Sequence, residues 1–290
     1  MTVTKKPELL APAGSLKHLH MALAYGADAV YAGVPKWSLR VRGNGFIRED
    51  FIKGIEEAHA MGKKVHAVLN IIPHVRRVAA FEKVVDEMAQ LKPDAFIMAD
   101  PGLIDIVRNR YPDIPIHLSV QANTVNAGSV KFWQKVGLTR CILARELSLT
   151  EIDMIKQECP DMEIEVFAHG ALCIAVSGRC LISGLLSHRD ANIGACNNSC
   201  RYGFNIRNVH AATADDVTTF EADDGTTLSA QIEESMHHPG EWMTMEEDLN
   251  GSYLMNSKDL CTLPVLKKLI EIGVDSLKIE GRSRSPFYSA

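Results

Sequence analysis

The chain has 290 residues, 46% of them hydrophobic and 23% charged, with a formal net charge of −5; these proportions exclude a disordered or fibrous chain and suit a globular domain with a sizeable core. The first residues, MTVTKKPELLAPAGS, have no apolar signal-type run, and no stretch approaches a membrane-spanning length, so a soluble, cytoplasmic protein with no membrane partner is expected. Charge is uneven along the chain: Asn208–Ser257 carries eleven acids and no Lys or Arg, so a phosphate-binding surface is excluded there and the stretch reads as a solvated insertion.

In chain order, short apolar or β-branched runs alternate with amphipathic stretches. Strands are predicted over 8–13 (ELLAPA), 29–34, 64–70, 95–100, 116–123, 140–145, 163–170 and 276–281. Helical patterns such as LKHLHMALAYG, FIKGIEEAHAMG and FEKVVDEMAQLK lie between them, several closed by a Gly suited to a C-cap. Eight βα-like units, with no GxGxxG turn after the first strand, predict an α/β fold of the (β/α)8 TIM-like barrel type rather than an open doubly wound sheet. The expected organisation is a single barrel over 1–290 with an insertion at 171–257 between strands seven and eight, Cys-rich over 171–207 and acidic over 208–257. A last helical pattern, LPVLKKLIEIG, precedes the eighth strand, and the chain stops at RSRSPFYSA just after that strand, so the final helix is expected to be missing from this fragment.

Strand residues alternate between lumen and helix layer, and barrel lumens are normally aliphatic. In IHLSVQAN, Ile116, Leu118 and Val120 are expected to face the helices, leaving His117, Ser119, Gln121 and Asn123 inside. The same parity places Asn70, Asp100, Glu165, His169, Lys278 and Glu280 inside. Buried polar groups are unfavourable unless paired or used, so the set reads as a site for a small polar molecule at the C-terminal mouth. Arg40, Arg42 and Arg282 follow strands at the same rim and suit carboxylate or phosphate recognition. His169, Glu280 and Gln121 are the candidate catalytic groups; Arg40, Arg42, Asn70, His117, Asn123, Lys278 and Arg282 are the candidate substrate-binding groups.

Four of the seven cysteines, Cys173, Cys180, Cys196 and Cys200, fall in one short span as C-x6-C-x15-C-x3-C. Four thiolates suit a zinc site or an iron–sulfur cluster, and the scarcity of close pairs tilts the reading toward a cluster. Cys141, Cys159 and Cys261 read as small hydrophobes or incidental thiols. Cys173 lies four residues beyond His169 in HGALC, which puts the start of the cluster at the barrel mouth.

Together ELLAPAGSL, GADAVYAG, SLRVR, MADPGLI, PIHLSVQAN, GLTRCILARELSLTEI, EIEVFAHGALCIAVSGRCLISG, MNSKDL and SLKIEGR resemble the peptidase U32 family, and most of all its branch of prephenate-dependent tRNA wobble-uridine hydroxylases. The resemblance implies tRNA hydroxylation at the anticodon wobble uridine to 5-hydroxyuridine, with prephenate as co-substrate. It also implies a [4Fe–4S] cluster on Cys173, Cys180, Cys196 and Cys200, and tRNA, through its anticodon loop, as partner. The family name records an older reading as a peptidase or collagenase, yet the chain has no GxSxG elbow and no HExxH pair. A U32-type peptidase and a non-catalytic Fe–S or zinc module are the alternative readings. No RNA-binding signature such as an RRM motif is present, and part of the tRNA grip is expected in a C-terminal continuation.

Overall fold

Each helix of the barrel follows a strand, and three of them, those beginning after Asp100, Asn126 and Ser148, start where a short polar side chain takes the place of a missing backbone partner. Asp100 accepts from the Leu103 amide, Asn126 from the Ser129 amide at 2.8 Å, and Ser148 forms a reciprocal capping box with Glu151. The structure, a computed structural model, describes residues 6–39, 46–171, 182–183, 199–208, 228–235, 239–247, 259–282 and 284–289. The strands are β1 (Glu8–Ala13), β2 (Ala29–Gly33), β3 (Lys64–Leu69), β4 (Ala95–Met98), β5 (Ile116–Leu118), β6 (Arg140–Ile142), β7 (Glu163–Ala171), β8 (Phe204–Asn208), β9 (Leu228–Glu234), β10 (Trp242–Glu247), β11 (Asp259–Cys261) and β12 (Ser276–Ile279). The helices are α1 (Leu16–Ala24), α2 (Arg48–Ala60), α3 (Val78–Gln90), α4 (Pro101–Arg110), α5 (Ala127–Val136), α6 (Leu149–Glu158) and α7 (Leu266–Ile272).

Strands β1 to β7 and β12 pair in parallel and close on one another, β12 lying between β7 and β1. The predicted eight-stranded (β/α)8 barrel is therefore the observed fold, and β11 adds antiparallel to the upper end of β7, with Leu260 opposite Gly170. The chain divides into two units, Met1–Asn197 with Lys258–Ala290, which holds the barrel, and Asn198–Ser257. In the second, β8, β9 and β10 form an antiparallel sheet in the order β10-β9-β8. Their alternating pattern, as in LSAQIEE, was present in the acidic stretch.

Between sheet and helices lies the main core: Val30, Ala32, Val65, Ala67, Phe96, Met98, Ile116, Leu118, Ile164 and Val166 pack with helix residues such as Leu19, Phe51, Phe81 and Ile104. The opposite parity fills the lumen with a second, smaller cluster, Leu10, Ala29, Tyr31, Val68, Ile97, Val120, Ile142 and Phe167. Val120 is a correction to the parity expectation. Strand β5 ends at Leu118, a 3-10 turn over Val120–Ala122 follows, and Asn123 closes it in the left-handed region at φ 54°. The turn is stabilised by Ser119, whose hydroxyl accepts from the Gln121 amide, and it swings Val120 into the lumen.

At the top of β7 the register against β12 shifts by one residue between Lys278 and Ile279. Gly170, at φ +110°, sits directly under this irregularity, and a Cβ there would lie 2.0 Å from the Glu280 carbonyl oxygen. Gly170→Ala should therefore destabilise the protein by roughly 3 kcal/mol, from overpacking plus an unfavourable backbone conformation. Thermal unfolding checks this, with a Tm lowered by roughly 6–12 °C.

Candidate active site in the barrel lumen

Polar side chains occupy both ends of the lumen. At the N-terminal end, Arg140 opens β6 inward and is almost fully buried, at 3% exposed. Its guanidinium reaches three carboxylates: Glu8 at 2.6 Å, Glu163 at 2.7 Å and Glu165 at 3.1 Å. Glu165, with no exposed surface, also accepts from the Lys278 ammonium at 2.9 Å, while Lys64 pairs with Glu8 at 3.0 Å. Burial alone would raise the Glu165 carboxyl, but the Lys278 and Arg140 charges outweigh it and hold it below its ordinary value. Burial likewise opposes ionisation of Glu8, yet the Arg140 hydrogen bond and charge bring its pKa down to about 2.

Beside this network His66 and His117 meet edge to face, with ring centroids 4.8 Å apart. Both are buried, and neither Nδ1 has a hydrogen-bond partner among the described residues. Burial above all holds both imidazoles neutral: His66 falls from its ordinary 6.5 to about 4 although the Glu8 and Glu165 charges oppose the fall, and His117, where neighbouring positive charges add to burial, also falls well below that value. The two rings line a cavity of about 460 Å³ with Lys64, Arg140 and Glu163, among loop residues such as Asp94 and Asp161 that precede the strands.

Along β3 the inward residues run His66, Val68, then Asn70; along β7 they run Glu165, Phe167, then His169. The apolar cluster thus lies between the basal network and the mouth. At the mouth, Asn70 donates to the Ser119 hydroxyl at 3.0 Å and accepts from the Leu39 amide at 3.1 Å. Arg282, 5% exposed, donates to the Leu39 carbonyl and lies over the Tyr31 ring. The Arg145 guanidinium stands 3.7 Å from the Phe167 ring centroid. Tyr31 faces Glu280 through its hydroxyl, at 3.1 Å, and its ring faces the Lys278 ammonium, 4.3 Å from the centroid. A carboxylate, amides, guanidinium groups and a phenol therefore converge above an apolar floor, an arrangement suited to holding a small anionic or hydrogen-bonding molecule.

Of the residues singled out from sequence, Asn70, Glu280 and Arg282 lie at the mouth, Gln121 and Asn123 belong to the 3-10 turn that follows β5, and Lys278 lies in mid-lumen, level with Phe167 and paired with Glu165. His117 lies low in the lumen at the basal cavity instead. His169 is exposed at the end of β7, its ring centroid 6.0 Å from that of Tyr288. Asp100 is a helix cap rather than a lumen residue. Arg40, Arg42, Cys173, Cys180 and Cys196 lie outside the described residues; Cys200 is half-buried in the 3-10 turn Ser199–Arg201. Cys141 and Cys159 are buried, and Cys261 is exposed. Sequence reasoning missed Tyr31, Arg140 and Arg145; strand parity gives the inward face of Tyr31 and Arg140 but not the groups they meet there.

Fold and lumen define a TIM-barrel protein with an ionic core and a polar mouth. The family model for peptidase family U32 matches residues 14–290, and the chain belongs to that family. It is 52% identical over 98% of its length to tRNA hydroxylation protein P of Escherichia coli, and 48% identical over its full length to the protein of the same name from Haemophilus influenzae. It spans 66% of the length of each of these relatives. A solved structure of a U32 peptidase shares the fold at a TM-score of 0.51 and 15% identity, covering 59% of this chain and 72% of that one. Among the described residues no helix is long and apolar enough to cross a membrane.

Two outcomes follow from the basal network. Arg140→Met leaves buried Glu165 with one cation, and denaturant unfolding should show a loss of about 3–5 kcal/mol; Arg140→Lys should recover only part, since an ammonium cannot bridge three carboxylates. Stability should also fall in acid. His66 is harder to protonate in the folded state, so the unfolded chain takes the proton first, and stability present above pH 6.5 is lost as pH falls toward about 4. Glu8 adds a further loss between its ordinary 4.5 and about 2. Urea titrations across this range should show the upper part of the loss diminished in His66→Gln.

Proposed function

We propose that this chain is the barrel portion of a tRNA-modifying enzyme that hydroxylates the anticodon wobble uridine to 5-hydroxyuridine, with prephenate as co-substrate, in the cytoplasm. The observation that carries the proposal is the near end-to-end match to relatives named for tRNA hydroxylation. The mouth supports it. Arg145 and Arg282 supply positive charge beside an apolar floor, Arg40 and Arg42 follow Leu39 in sequence, and prephenate is a dicarboxylate with a hydrophobic ring system. Asn70 and Ser119 are held by each other and by Leu39, so they can present fixed hydrogen-bonding groups to a ligand without reorganising.

Cys173, Cys180, Cys196 and Cys200 would hold a [4Fe–4S] cluster. The donor chemistry fits, because four thiolates in one span match the ligand number and softness that such a cluster requires. When bound, the cluster would supply one-electron chemistry. The roles left to the chain's own residues are to bind the acid at the mouth, to exclude water from it through the apolar layer of Tyr31, Val68, Ile97, Ile142 and Phe167, and to hold a proton at Glu280.

Nucleoside mass spectrometry of tRNA from a deletion strain tests the reading. The strain should lack 5-hydroxyuridine derivatives, wild type should restore them, and Cys180→Ala should not. Persistence of the modification in a deletion strain without a redundant pathway would overturn the proposal. Arg42→Ala should lower the yield by roughly 10- to 100-fold if that residue pairs with a carboxylate, with the loss partly overcome by raising prephenate.

A further inference from the structure

Tyr31 has a hydroxyl with two acceptors and one proton. Buried on β2, it lies 2.9 Å from the Ile279 carbonyl oxygen and 3.1 Å from Glu280 Oε2. A phenol can give its single proton fully to only one acceptor at a time, while its oxygen can also accept. The ring is fixed: the Lys278 ammonium stands 4.3 Å from its centroid, held there by Glu165, and the Arg282 guanidinium lies 5.8 Å from it on the mouth side. Glu280 is fixed as well. Its amide donates to the His169 carbonyl at 2.8 Å, and its carbonyl packs against Gly170.

We propose that Tyr31 is a positioning residue for Glu280, one that supports this carboxyl group in both of its protonation states. With Glu280 ionised, the Tyr31 hydroxyl donates to Oε2. With Glu280 protonated, the carboxyl donates to the Tyr31 oxygen and the Tyr31 proton turns to the Ile279 carbonyl. A proton taken by Glu280 from a ligand at the mouth, and later returned to it, then leaves neither state without a hydrogen-bond partner, and no heavy atom has to move. Charged and titratable groups that face Glu280 include Tyr31 from β2, Lys278 and Arg282 on either side of it in its own segment, and Tyr288 from the C-terminal 3-10 turn, while His169 of β7 meets it through its backbone carbonyl. The two cations favour the carboxylate; the carbonyl that receives the Tyr31 proton is what keeps the protonated form accessible.

The inference deepens the hydroxylase reading and rests on it only for the identity of the ligand. Infrared difference titration of the full chain, with the protonated-carboxyl band assigned through Glu280→Gln, reads the pairing directly. In Tyr31→Phe the protonation midpoint should rise by about one pH unit, because a hydrogen bond to a carboxylate is roughly twice as strong as one to the neutral acid. The band should also move to higher wavenumber as the carboxyl loses the Tyr31 oxygen as an acceptor. If Tyr31→Phe does not fold, fluorotyrosine placed at position 31 keeps the ring and makes the phenol a stronger donor, so the midpoint should fall instead. An unchanged midpoint and band in a folded variant overturn the proposal, whatever happens to tRNA. The expected shifts, with a matching shift in the pH profile of tRNA modification, support it. The same shifts in a protein on which no tRNA modification depends would retain the Tyr31–Glu280 pairing and overturn the hydroxylase reading alone.

Discussion

Glu165 lies fully buried between Arg140 and Lys278, and both ends of the lumen depend on that pairing. A lone carboxylate at this depth would be strongly destabilising, and so would either cation without it. The arrangement works because the charges form a series, Lys64 to Glu8 to Arg140 to Glu165 to Lys278, in which each interior group has opposite charges on both sides. Well-packed aliphatic residues would have filled the same space with less desolvation, as they do in most barrels. What the ionic series provides that Leu and Val cannot is a fixed positive charge in mid-lumen, beneath the face of Tyr31.

The apolar cluster above the base makes this charge effective. Val68, Ile97, Val120, Ile142 and Phe167 exclude water between the basal cavity and the mouth, so the field of Lys278 is screened less than it would be in solvent. Two rings of this layer each present a negative face to a cation, Tyr31 to Lys278 and Phe167 to Arg145.

Much of this was legible in the sequence because strand parity is a strict rule where the strand is regular. The eight strands, the helix layer and the inward position of Glu165, Lys278 and Glu280 follow from period-two alternation in short apolar runs. The rule failed at Val120, where IHLSVQAN stops being a strand after three residues and a Ser-capped turn changes the direction of every later side chain. Asp100 misled in the same way, since Asp before Pro-Gly is equally a helix cap. Arg140 and Tyr31 escaped notice for another reason. An Arg at the first position of a strand reads as solvent-facing, and a Tyr in an apolar run reads as core; only the closure of the barrel, which brings β1, β6, β7 and β12 together, shows what they touch. The strands of Asn198–Ser257 were masked by their acidity, although Leu228, Ala230 and Ile232 alternate with polar residues.

The two ends of the lumen therefore answer to different physical demands. At the base each charge of the ionic series has an opposite within 3.1 Å, so substitutions in it act through stability. At the mouth the constraint is one of aim. The register shift between β7 and β12 and the bare Cα of Gly170 let the Glu280 backbone come closer to β7 than any side chain would allow, which delivers its carboxyl to Tyr31 rather than to the helix layer. A bulge at that point costs ladder hydrogen bonds and forbids every residue but glycine beneath it, a poor arrangement for a strand whose only task is to close a barrel. It is a sensible one if the carboxyl must meet a ligand from a fixed direction.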